Sequence, residues 1–525
     1  MSLTQPAPPV RPRRSPSKPL AELGRRFGDE RSVLGSSPED VLIHGITLNS
    51  ATVEKGDVFV ALTGRKQHGA AFAADAKAAG AVAVLTDPAG LEQAAATGLP
   101  VVVHDELRAS LGAIAAWLFD TDASPIKLFG VTGTNGKTSM VHILEAILTQ
   151  AGVTTGLSST AERHVDGEKF TSGLTTPETV DLHSLIARWT EGGAEAAAVE
   201  VSAQSIERHR IDGVPFDVVG FTNLTHDHLD DYGDMATYLE AKRPLFRPEH
   251  AKAAVISLDS PAGAEIAGTA PIPVQTISSD PAVAADWHVE VTNETIDGVS
   301  FTLRRTVDDW SVSSSVSAIG SVMAHNAGLA LAMLSLAGYS EERLAEAVAD
   351  GIDVYIPGRT ERVSGETGPA VFVDFGHSED AFVRTLDAVR AVTPAGGRLI
   401  FLFGADGDRD KTKRPLMSAA AVDHSDLIVI TDHHPRMEDP AAIRAALLEG
   451  ARTRAAETKP GFEIVEVSPP EAAIRKAVSL AREGDSILWC GPGHQSYRDI
   501  AGVRTAYSGR EEARAALREA GYPPR

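Results

Sequence analysis

A short glycine-rich loop with a lysine and a threonine after it carries the clearest chemistry in this sequence. The candidate phosphate-binding residues are Gly133, Thr134, Asn135, Gly136, Lys137, Thr138 and Ser139. Glycines let a backbone come close to a phosphate, a lysine can reach the β and γ oxygens of a nucleotide, and a threonine hydroxyl can bind Mg²⁺. The general P-loop pattern has a glycine at the position of Val131, so this loop is of a shorter kind.

The residues on either side of the loop predict the elements that position it. Mostly apolar residues over 126–131 predict a strand, and apolar residues recur at helical spacing over 140–148. The first N–H groups of a helix lack intrahelical partners, so a phosphate fits there. An ordinary glycine turn before a core helix would use the same residues. The order of strand, glycines, Lys-Thr and helix favours a phosphate site.

Acidic and histidine side chains follow the next two predicted strands. Glu200 ends an apolar segment, where a carboxylate is costly unless it is paired or binds a metal. The segment TNLTHDHLDDYGD (222–234) brings two histidines and several aspartates together. Solvated loop residues would also explain this pattern. Because these residues follow neighbouring strands of one predicted sheet, they are candidates for positioning Mg²⁺ and phosphate. Glu200 is the natural oxygen ligand.

Four polar segments follow strands in the C-terminal third of the chain. They are FVDFGHSED (372–380), GADGDRDKTKRPLM (404–417), TDHHPRMEDP (431–440) and CGPGHQSY (490–497). Each could be a polar turn by itself. Because ligands bind at the carboxyl ends of parallel strands, the four together favour a binding crevice.

Short apolar segments alternate with helical stretches along most of the chain. This pattern predicts an α/β protein with parallel, helix-covered sheets, and segment 287–316 predicts an antiparallel insert. We expect a disordered, basic and Pro-rich arm over 1–38, followed by domains over 39–122, 123–356 and 357–525.

Composition limits the class of protein. The 525 residues are 43% hydrophobic, which is enough for several buried cores, and the net charge of −22 argues against non-specific binding to nucleic acid. The single cysteine, Cys490, excludes an internal disulfide and fits a reducing compartment. The basic start lacks the apolar stretch of a signal peptide, and no apolar run has the length of a membrane span. We expect a cytoplasmic monomer with no nucleic-acid partner and no membrane insertion.

Beyond single motifs, the chain after about residue 40 resembles the Mur ligases, and among them the synthetases that add the third amino acid of the peptidoglycan stem. The motifs with family counterparts are ITLNSATVEKGDVFVALTGRKQHGAAF (46–72), GTNGKTS (133–139), LTTPE (174–178), EVS (200–202), FTNLTHDHLDDYGDM (221–235), GRTER (358–362), DFGHSED (374–380), GDRDKTKRPLM (407–417) and TDHHPRMEDP (431–440). Their order and number make the resemblance specific.

The resemblance implies three domains and one reaction. It implies an N-terminal α/β domain for UDP, a central P-loop ATPase domain with a parallel sheet, and a Rossmann-like C-terminal domain for the amino acid. The implied substrates are ATP, UDP-N-acetylmuramoyl-L-alanyl-D-glutamate and an amino acid, and Mg²⁺ is the implied cofactor. The substrate carboxylate would attack the γ-phosphate, and the amine would then displace phosphate from the acyl phosphate. Cations and backbone dipoles aimed at the phosphoryl group would carry most of the catalysis.

The resemblance also implies roles for individual residues. Catalytic roles fall on Lys137, Glu200, His228 and Lys242, and metal binding on Thr138, Glu200 and His228. Further nucleotide contacts fall on Asn326, Arg359 and Asp374. The UDP-substrate positions are Ser50, His68, Thr175, Thr176, Ser202 and Arg210. The amino-acid positions are Arg414, His433, His434, Arg436, Gly491 and Gln495. By residue type alone, Lys242 would be a surface lysine or half of a salt bridge, whereas the resemblance implies that it is carbamylated.

Departures from the family pattern concentrate at the amino-acid pocket. Enzymes that use meso-diaminopimelate typically carry Asp-Asn-Pro-Arg, where this chain has His433, His434, Pro435 and Arg436. They also carry Gly-Lys-Gly-His-Glu, where this chain has Gly-Pro-Gly-His-Gln over 491–495. Two carboxylates expected near a distal ammonium are therefore absent, while Arg436 can still pair with a distal carboxylate. These clues conflict; they slightly favour L-lysine or L-ornithine, and meso-diaminopimelate stays open.

A smaller departure lies near the expected uridine site. Relatives usually have Asp-Ser-Arg there, and this chain has Asn49, Ser50 and Ala51, so one arginine contact is missing.

Two other functions remain as alternatives. One is an amide ligase like folylpolyglutamate synthetase, and the other is a catalytically silent Mur-like protein that binds nucleotide and a partner.

Overall fold

Three large, mostly parallel sheets organise the protein in this computed structural model, which describes residues 9–64, 66–226 and 229–525. Helices cover the sheets, as expected for strands that are buried on both faces. The predicted α/β class with parallel sheets is confirmed. In the part of the chain that the structure describes, no helix is long and apolar enough to cross a membrane.

The N-terminal sheet has four parallel strands in the order β3-β4-β5-β6. The elements of this region are β1 (Lys18–Pro19), α1 (Leu20–Phe27), β2 (Leu42–Ile43), β3 (Gly45–Thr47), β4 (Asp57–Ala61), α2 (Ala73–Ala79), β5 (Ala83–Thr86), α3 (Leu91–Ala95), β6 (Val101–Val103) and α4 (Leu107–Phe119). Short 3₁₀ helices lie at Ser50–Thr52, Gly69–Phe72, Pro88–Gly90 and Thr121–Ala123. Every residue of β4 is buried, which fits the apolar run over 58–61 that follows Asp57.

The prediction of a disordered arm over 1–38 is wrong for the part that the structure describes. Strand β1 pairs with β2, and helix α1 buries Leu20 and Leu23 in the N-terminal core. Upstream of them, both terminal nitrogens of Arg11 donate to the carboxylate of Asp57, each at 2.7 Å. The Pro-rich, basic composition of this segment predicted disorder, because it contains no signal of partners 46 residues away.

The central sheet has eleven strands in the order β10-β9-β8-β11-β7-β12-β13-β14-β15-β16-β17. Its elements are β7 (Lys127–Thr132), α5 (Lys137–Gln150), β8 (Thr155–Ser158), β9 (Glu162–Val165), β10 (Glu168–Thr171), α6 (Thr179–Glu191), β11 (Ala196–Glu200), α7 (Ala203–Glu207), β12 (Phe216–Phe221), α8 (Leu229–Tyr232), α9 (Met235–Glu240), a 3₁₀ helix (Arg243–Phe246), β13 (Ala251–Ser257), α10 (Pro261–Thr269), β14 (Val274–Ser278), β15 (Trp287–Thr295), β16 (Gly298–Arg305), β17 (Ser311–Val316), α11 (Ser321–Leu336) and α12 (Glu341–Ala347).

Strand β7 lies in the middle of this sheet and packs on both faces. Leu128 belongs to one hydrophobic cluster and Phe129 to the other, because successive side chains of a strand point to opposite faces. The predicted antiparallel insert over 287–316 is confirmed, since β15, β16 and β17 pair antiparallel. It continues the parallel sheet through the pairing of β14 with β15.

The C-terminal sheet has six strands in the order β18-β19-β23-β20-β21-β22, parallel except for β18. The elements here are β18 (Glu361–Arg362), β19 (Ala370–Asp374), α13 (Glu379–Val392), β20 (Leu399–Phe403), α14 (Lys413–His424), β21 (Leu427–Ile430), α15 (Pro440–Thr458), β22 (Glu463–Glu466), α16 (Pro470–Leu480), β23 (Ser486–Cys490), β24 (Tyr497–Ile500), β25 (Val503–Ala506) and α17 (Gly509–Glu519). The hairpin β24–β25 stands outside the sheet.

Candidate functional site

The glycine-rich loop joins the central strand β7 to helix α5, as the sequence predicts. Gly133 and Gly136 have φ angles of +148° and +87°, which residues with a Cβ rarely adopt. A Cβ on Gly133 would lie 2.0 Å from Thr222 Oγ1. Lys137 begins the helix, and its ammonium donates to the carbonyls of Gly133 at 3.2 Å and Thr134 at 2.9 Å. The lysine charge is thus held over the loop where a phosphate would lie.

The segment after strand β12 supports the loop from the side. Thr134 N donates to Asn223 O at 2.9 Å, and Asn135 N donates to Asn223 Oδ1 at 3.0 Å. The Asn135 side chain donates to Asp380 Oδ2, 2.6 Å away in the C-terminal domain, and Thr225 Oγ1 donates to the same oxygen at 3.2 Å. These bonds connect the phosphate loop directly to the C-terminal domain.

A buried carboxylate lies beside the first turn of α5. Glu200 is 2% exposed and pairs in register with Val131, just before the loop. Its Oε2 accepts from Thr138 Oγ1 at 3.0 Å, from Thr160 N at 2.7 Å and from Thr160 Oγ1 at 2.9 Å. Thr138 and Glu200 therefore present two oxygens at the head of a helix, where a nucleotide phosphate would bring a divalent cation.

Lys242 lies under the loop and not at the surface. Its side chain is 1% exposed, and its Nζ donates to Gly133 O at 3.0 Å and stands 4.3 Å from the centre of the Tyr238 ring. The interpretation of Lys242 as a surface lysine is therefore wrong. The same carbonyl accepts from both Lys137 and Lys242, so two lysines converge on the loop.

Residues from beyond the central sheet close the nucleotide side of the site. The guanidinium of Arg359 donates to Thr138 Oγ1 at 2.9 Å and stacks 4.7 Å from the Phe375 ring centre. Asp374 is buried at the end of β19 and accepts from Thr360 N at 2.7 Å. Asn326, on α11, is buried with its amide nitrogen unpaired within the described chain, and this group lies 3.4 Å from a Cβ placed on Gly136. An unpaired buried donor next to the loop suits a nucleotide contact.

The residues predicted to hold the UDP-peptide fall into two groups, one in each of the first two domains. In the central domain, Thr176 donates to Glu200 O at 2.7 Å and accepts from Ser202 N at 3.1 Å, so both sit at the end of β11. Thr175 Oγ1 lies 3.0 Å from Thr160 Oγ1. These hydrogen bonds place Thr175, Thr176 and Ser202 around Glu200.

Arg210 reaches the N-terminal domain through a shared carboxylate. Its guanidinium lies 2.8 Å from Glu178 Oε1, and Arg108 on α4 donates to Glu178 Oε2 at 2.9 Å. Burial lowers the pKa of Arg210 despite this carboxylate. Glu178 belongs to the LTTPE motif, and its partnership with two arginines was not predicted.

Ser50 and His68 lie in the N-terminal domain, after strands β3 and β4. His68 Nδ1 accepts from Ala70 N at 3.0 Å, so its Nε2 carries the proton that it shares with Asp87 Oδ1 at 2.9 Å. Asp87 also accepts from Thr63 Oγ1 at 3.0 Å. The sequence did not single out Asp87, although an aspartate directly after a strand is a position where ligand-binding groups occur.

The predicted amino-acid pocket surrounds two adjacent histidines after strand β21. His434 Nδ1 accepts from Asp499 N at 2.9 Å, so Nε2 bears the proton and donates to Gln495 Oε1 at 2.7 Å. Burial lowers the pKa of His434 and lowers that of His433 to about 3. Both imidazoles are therefore neutral at pH 7. A Cβ on Gly491 would lie 3.4 Å from the His433 ring, so this glycine stands against the same pocket.

The two predicted arginines of this pocket differ in their surroundings. Arg414 is buried and forms a two-pronged pair with Glu438 at 2.9 Å and 2.8 Å. Arg436 is partly exposed, and its Nη2 lies 3.5 Å from Asp406 Oδ2. The structure thus leaves Arg436 more available than Arg414 for an incoming carboxylate.

Sequence and structure do not correspond at two residues of the site. His228 was predicted as a metal ligand but lies outside the described residues. Thr160, which donates to Glu200, was not predicted, because a threonine in a turn between strands has no local signal of its partner 40 residues away. In the described chain, no group of three or more histidine, cysteine, aspartate or glutamate side chains is arranged to hold a metal ion.

Comparisons with known proteins agree with this arrangement. Family models described as "Mur ligase family, catalytic domain", "Mur ligase middle domain" and "Mur ligase, glutamate ligase domain" match residues 42–116, 131–334 and 358–493. A UDP-N-acetylmuramyl-tripeptide synthetase of Leifsonia xyli is 51% identical over 524 residues, 99% of this chain and 100% of that protein.

More distant relatives extend over nearly the same length. A UDP-N-acetylmuramoyl-L-alanyl-D-glutamate--2,6-diaminopimelate ligase of Streptomyces avermitilis is 37% identical, covering 98% of this chain and 99% of that protein. A solved structure of a ligase with the same description has a TM-score of 0.64 at 26% identity and covers 96% of this chain and 100% of its own. With the phosphate loop, the buried Glu200 and the three sheets in place, these matches show that the chain belongs to the Mur ligase family.

Proposed function

We propose that this chain joins a diamino acid, as the third residue of the stem peptide, to UDP-N-acetylmuramoyl-L-alanyl-D-glutamate in peptidoglycan biosynthesis. As a Mur ligase it is an ATP-dependent ligase that forms amide bonds. One observation carries the proposal: Lys137, Thr138 and Glu200 converge at the head of α5, and Arg359 reaches them from the segment that leads into the C-terminal domain. Such a site can gather a nucleotide phosphate and a carboxylate substrate under several positive charges.

The reaction proceeds in two displacements. A carboxylate oxygen of the dipeptide bonds to the γ-phosphorus of ATP, and the bond from that phosphorus to the β,γ-bridging oxygen breaks to release ADP. The amine nitrogen of the incoming amino acid then bonds to the acyl carbon, the carbon–oxygen bond to the phosphoryl group breaks, and inorganic phosphate leaves with loss of an amine proton. Lys137 and Arg359 stabilise the negative charge that develops on the phosphoryl oxygens.

Thr138 and Glu200 fit a Mg²⁺ ion. Their oxygens are buried and 3.0 Å apart, and Mg²⁺ prefers a few carboxylate and hydroxyl ligands together with substrate phosphates. A bound Mg²⁺ would neutralise phosphate charge. His228 remains a proposed further ligand by family resemblance.

We further infer that Lys242 carries an N6-carboxyl group in the active enzyme. Its burial under Gly133, beside a second lysine, supports a role in the site and not in solubility. Carbamylation would replace one of two neighbouring cations by an anion, which relieves their repulsion and offers oxygen ligands.

This inference predicts that Lys242→Ala is inactive and is partly rescued by a short carboxylate such as formate or acetate. Turnover is measured as UDP-dipeptide-dependent phosphate release. Lys252→Ala, which changes an exposed lysine that pairs with Asp217, should keep wild-type turnover and gain nothing from formate. A fully active Lys242→Ala enzyme would contradict the proposed modification.

The identity of the diamino acid rests on the altered pocket. Neutral His433 and Gln495 in place of carboxylates support L-lysine or L-ornithine over meso-diaminopimelate. The Streptomyces relative is named for 2,6-diaminopimelate, and Arg436 could hold its distal carboxylate, which supports the alternative.

One experiment tests both function and specificity. The purified chain is given ATP, Mg²⁺ and the UDP-dipeptide with lysine, ornithine, diaminobutyrate or meso-diaminopimelate in separate reactions, and products are weighed by mass spectrometry. We expect a UDP-tripeptide with lysine or ornithine. A tripeptide only with meso-diaminopimelate would reverse the preference, and nucleotide binding without any product would support the catalytically silent alternative. A product formed from folate and glutamate, with none from the UDP-dipeptide, would support the folylpolyglutamate-like alternative.

A further inference from the structure

An incompletely bonded carboxylate lies among the residues of the amino-acid pocket. Asp406 follows strand β20, and its side chain is 17% exposed. Its Oδ1 is shielded from solvent and accepts no hydrogen bond within the described chain. The nearest cationic or imidazole groups are His433 Nε2, 3.6 Å from Oδ1, and Arg436 Nη2, 3.5 Å from Oδ2. Both contacts are at or beyond the limit of a hydrogen bond, so the carboxylate keeps unused acceptor capacity.

The surroundings of Asp406 favour its charged form without neutralising it. Burial alone would raise its pKa, but charge interactions with surrounding groups, Arg436 among them, outweigh burial and lower the pKa of Asp406. At pH 7 the buried His433 is neutral, since its pKa is lowered to about 3. Of His433 and Arg436, Arg436 is then the charged neighbour of Asp406. It lies near only one of the two carboxylate oxygens, Oδ2.

The positions that carry carboxylates in relatives are neutral in this chain. His433 and Gln495 occupy these positions, and Gln495 is engaged with the neutral His434. Glu438, a second nearby carboxylate, is bound by Arg414 and lies 3.0 Å from Lys411. Asp406 and Asp499, whose backbone N–H bonds to His434, each have a buried carboxylate oxygen that lacks a donor within the described chain. Of these two, Asp406 is the one whose carboxylate lies within 3.6 Å of His433 and Arg436.

We propose that Asp406 binds the distal ammonium group of the third amino acid and thereby sets the specificity of the pocket. The inference rests on the proposed ligase function. The negative charge of the pocket then lies on the loop after β20, beside Nε2 of His433, and not at the positions of His433 and Gln495. An ammonium group supplies the donors that the buried carboxylate lacks, whereas a neutral side chain of equal length leaves it unpaired. A polar site of this kind rejects analogues that lack the complementary group.

The test compares wild type with Asp406→Asn, which keeps the shape and removes the charge. Steady-state KM and kcat are measured for the diamino acid that supports turnover, for ATP and for the UDP-dipeptide. The same assay is run with the analogue that lacks only the distal amine, norleucine for lysine or norvaline for ornithine. We expect the KM for the diamino acid to rise about tenfold to a hundredfold. The KM values for ATP and UDP-dipeptide should stay within about twofold, and the preference for the diamino acid over its analogue should collapse.

A second variant keeps the test informative if the loop is disturbed. Asp406→Asn combined with His433→Asp returns a carboxylate to the position used by relatives, and part of the lost affinity for the diamino acid should return. Asp423→Asn makes the same charge change at a carboxylate on α14, where Asp423 is bound by Arg454 of α15, and it should leave all three KM values unchanged.

The possible failures are distinguishable. If wild type turns over a diamino acid but Asp406→Asn has the same KM for it, the role of Asp406 is overturned while the ligase function stands. A uniform rise in all three KM values without rescue by His433→Asp would also overturn it, since the residue would then only support the fold. Absence of turnover by wild type with every amino acid would overturn the ligase function itself.

Discussion

Glu200 keeps a carboxylate in the interior of the central sheet because hydrogen bonds from Thr138 and Thr160 reach one of its oxygens. At the scale of single residues, the site is a set of charged groups whose desolvation is offset by neighbours in this way. Lys137 and Lys242 share the Gly133 carbonyl, and the buried amide nitrogen of Asn326 has no hydrogen-bond partner within the described chain. Most of these roles could be proposed from residue type. The hydrogen-bond partners of each group decide its orientation and its charge.

Lys137→Ala should lower kcat by at least about a hundredfold, because it removes a charge that stabilises the phosphoryl group in the transition state. Binding of the UDP-dipeptide, followed by calorimetry, should be unchanged. Lys476→Ala, an exposed lysine on α16, serves as the control and should retain wild-type kcat. A Lys137→Ala enzyme with normal kcat would remove the lysine from the phosphate site.

His164 predicts a pH dependence of stability. Burial disfavours its charged form, but Glu145 and Glu162, each 2.7 Å from a ring nitrogen, outweigh burial and raise the pKa of His164 to about 9. The folded state therefore holds a proton that the unfolded state releases near the usual value of about 6.5. This stabilisation is complete below pH 6.5 and is lost as the pH rises towards 9.

The measurement compares the Tm of wild type and His164→Gln between pH 6 and pH 9.5. The advantage of wild type should be largest at pH 6 and should shrink across this range. A difference in Tm that is independent of pH would mean that the ring acts by packing and not by its charge.

At the scale of elements, the strand β7, the loop and helix α5 act as one unit. The strand is followed by Gly133, whose backbone conformation and close contact with Thr222 exclude a side chain, and the helix starts with Lys137. The strand and the helix follow from hydrophobic periodicity. The shape of the loop follows from its glycines together with the segment after β12, which bonds to it.

Gly133→Ala should therefore weaken ATP binding by at least about tenfold, since a Cβ would collide with Thr222 Oγ1 at 2.0 Å and displace the loop. Gly152→Ala is the matched control, because Gly152 also has a positive φ, +75°, but has open space around its Cβ position. It should cost about 1 kcal/mol of unfolding free energy and leave ATP binding intact. Calorimetric titration with ATP separates the two, and equal affinities would contradict the close packing of the loop.

At the scale of the whole molecule, a few polar bridges join the three sheets. Asn135 reaches Asp380 in the C-terminal domain, and Glu178 links Arg210 of the central domain with Arg108 of the N-terminal domain. The segment before β1 forms another bridge: Arg11 pairs with Asp57 on β4, while Val10 O accepts from Ser184 on α6. These bridges connect the phosphate loop to the C-terminal domain and the central domain to the N-terminal domain.

Arg11→Ala should lower the free energy of unfolding of the N-terminal domain by about 3 kcal/mol, because Asp57 is 1% exposed and would lose its counter-charge. Arg14→Ala is the control, since Arg14 is exposed, and it should change this free energy by less than about 0.5 kcal/mol. Urea denaturation gives both values. Equal stabilities of the two variants would show that the segment before β1 only lies on the surface.

The phosphate loop, the alternation of strands and helices, the antiparallel insert and the family could all be predicted from the sequence. These features depend on periodicity, on glycine and on motifs only a few residues long, which act within a turn or a strand. Most candidate residues, including Glu200, Thr176, Arg359 and Asp374, could be named because they fall in such motifs.

Which of these groups are buried, paired and charged could be known from the folded chain alone. Arg359 and Thr138 are 221 residues apart in sequence, and the contact of Arg11 with Asp57 replaced an expected disordered arm with a bridge. The same holds for Asp406, which became a candidate because His433, from another loop, lies beside an oxygen without a donor. The physical reason is that desolvation and charge pairing depend on neighbours brought together by packing, and a local pattern of residues does not contain them.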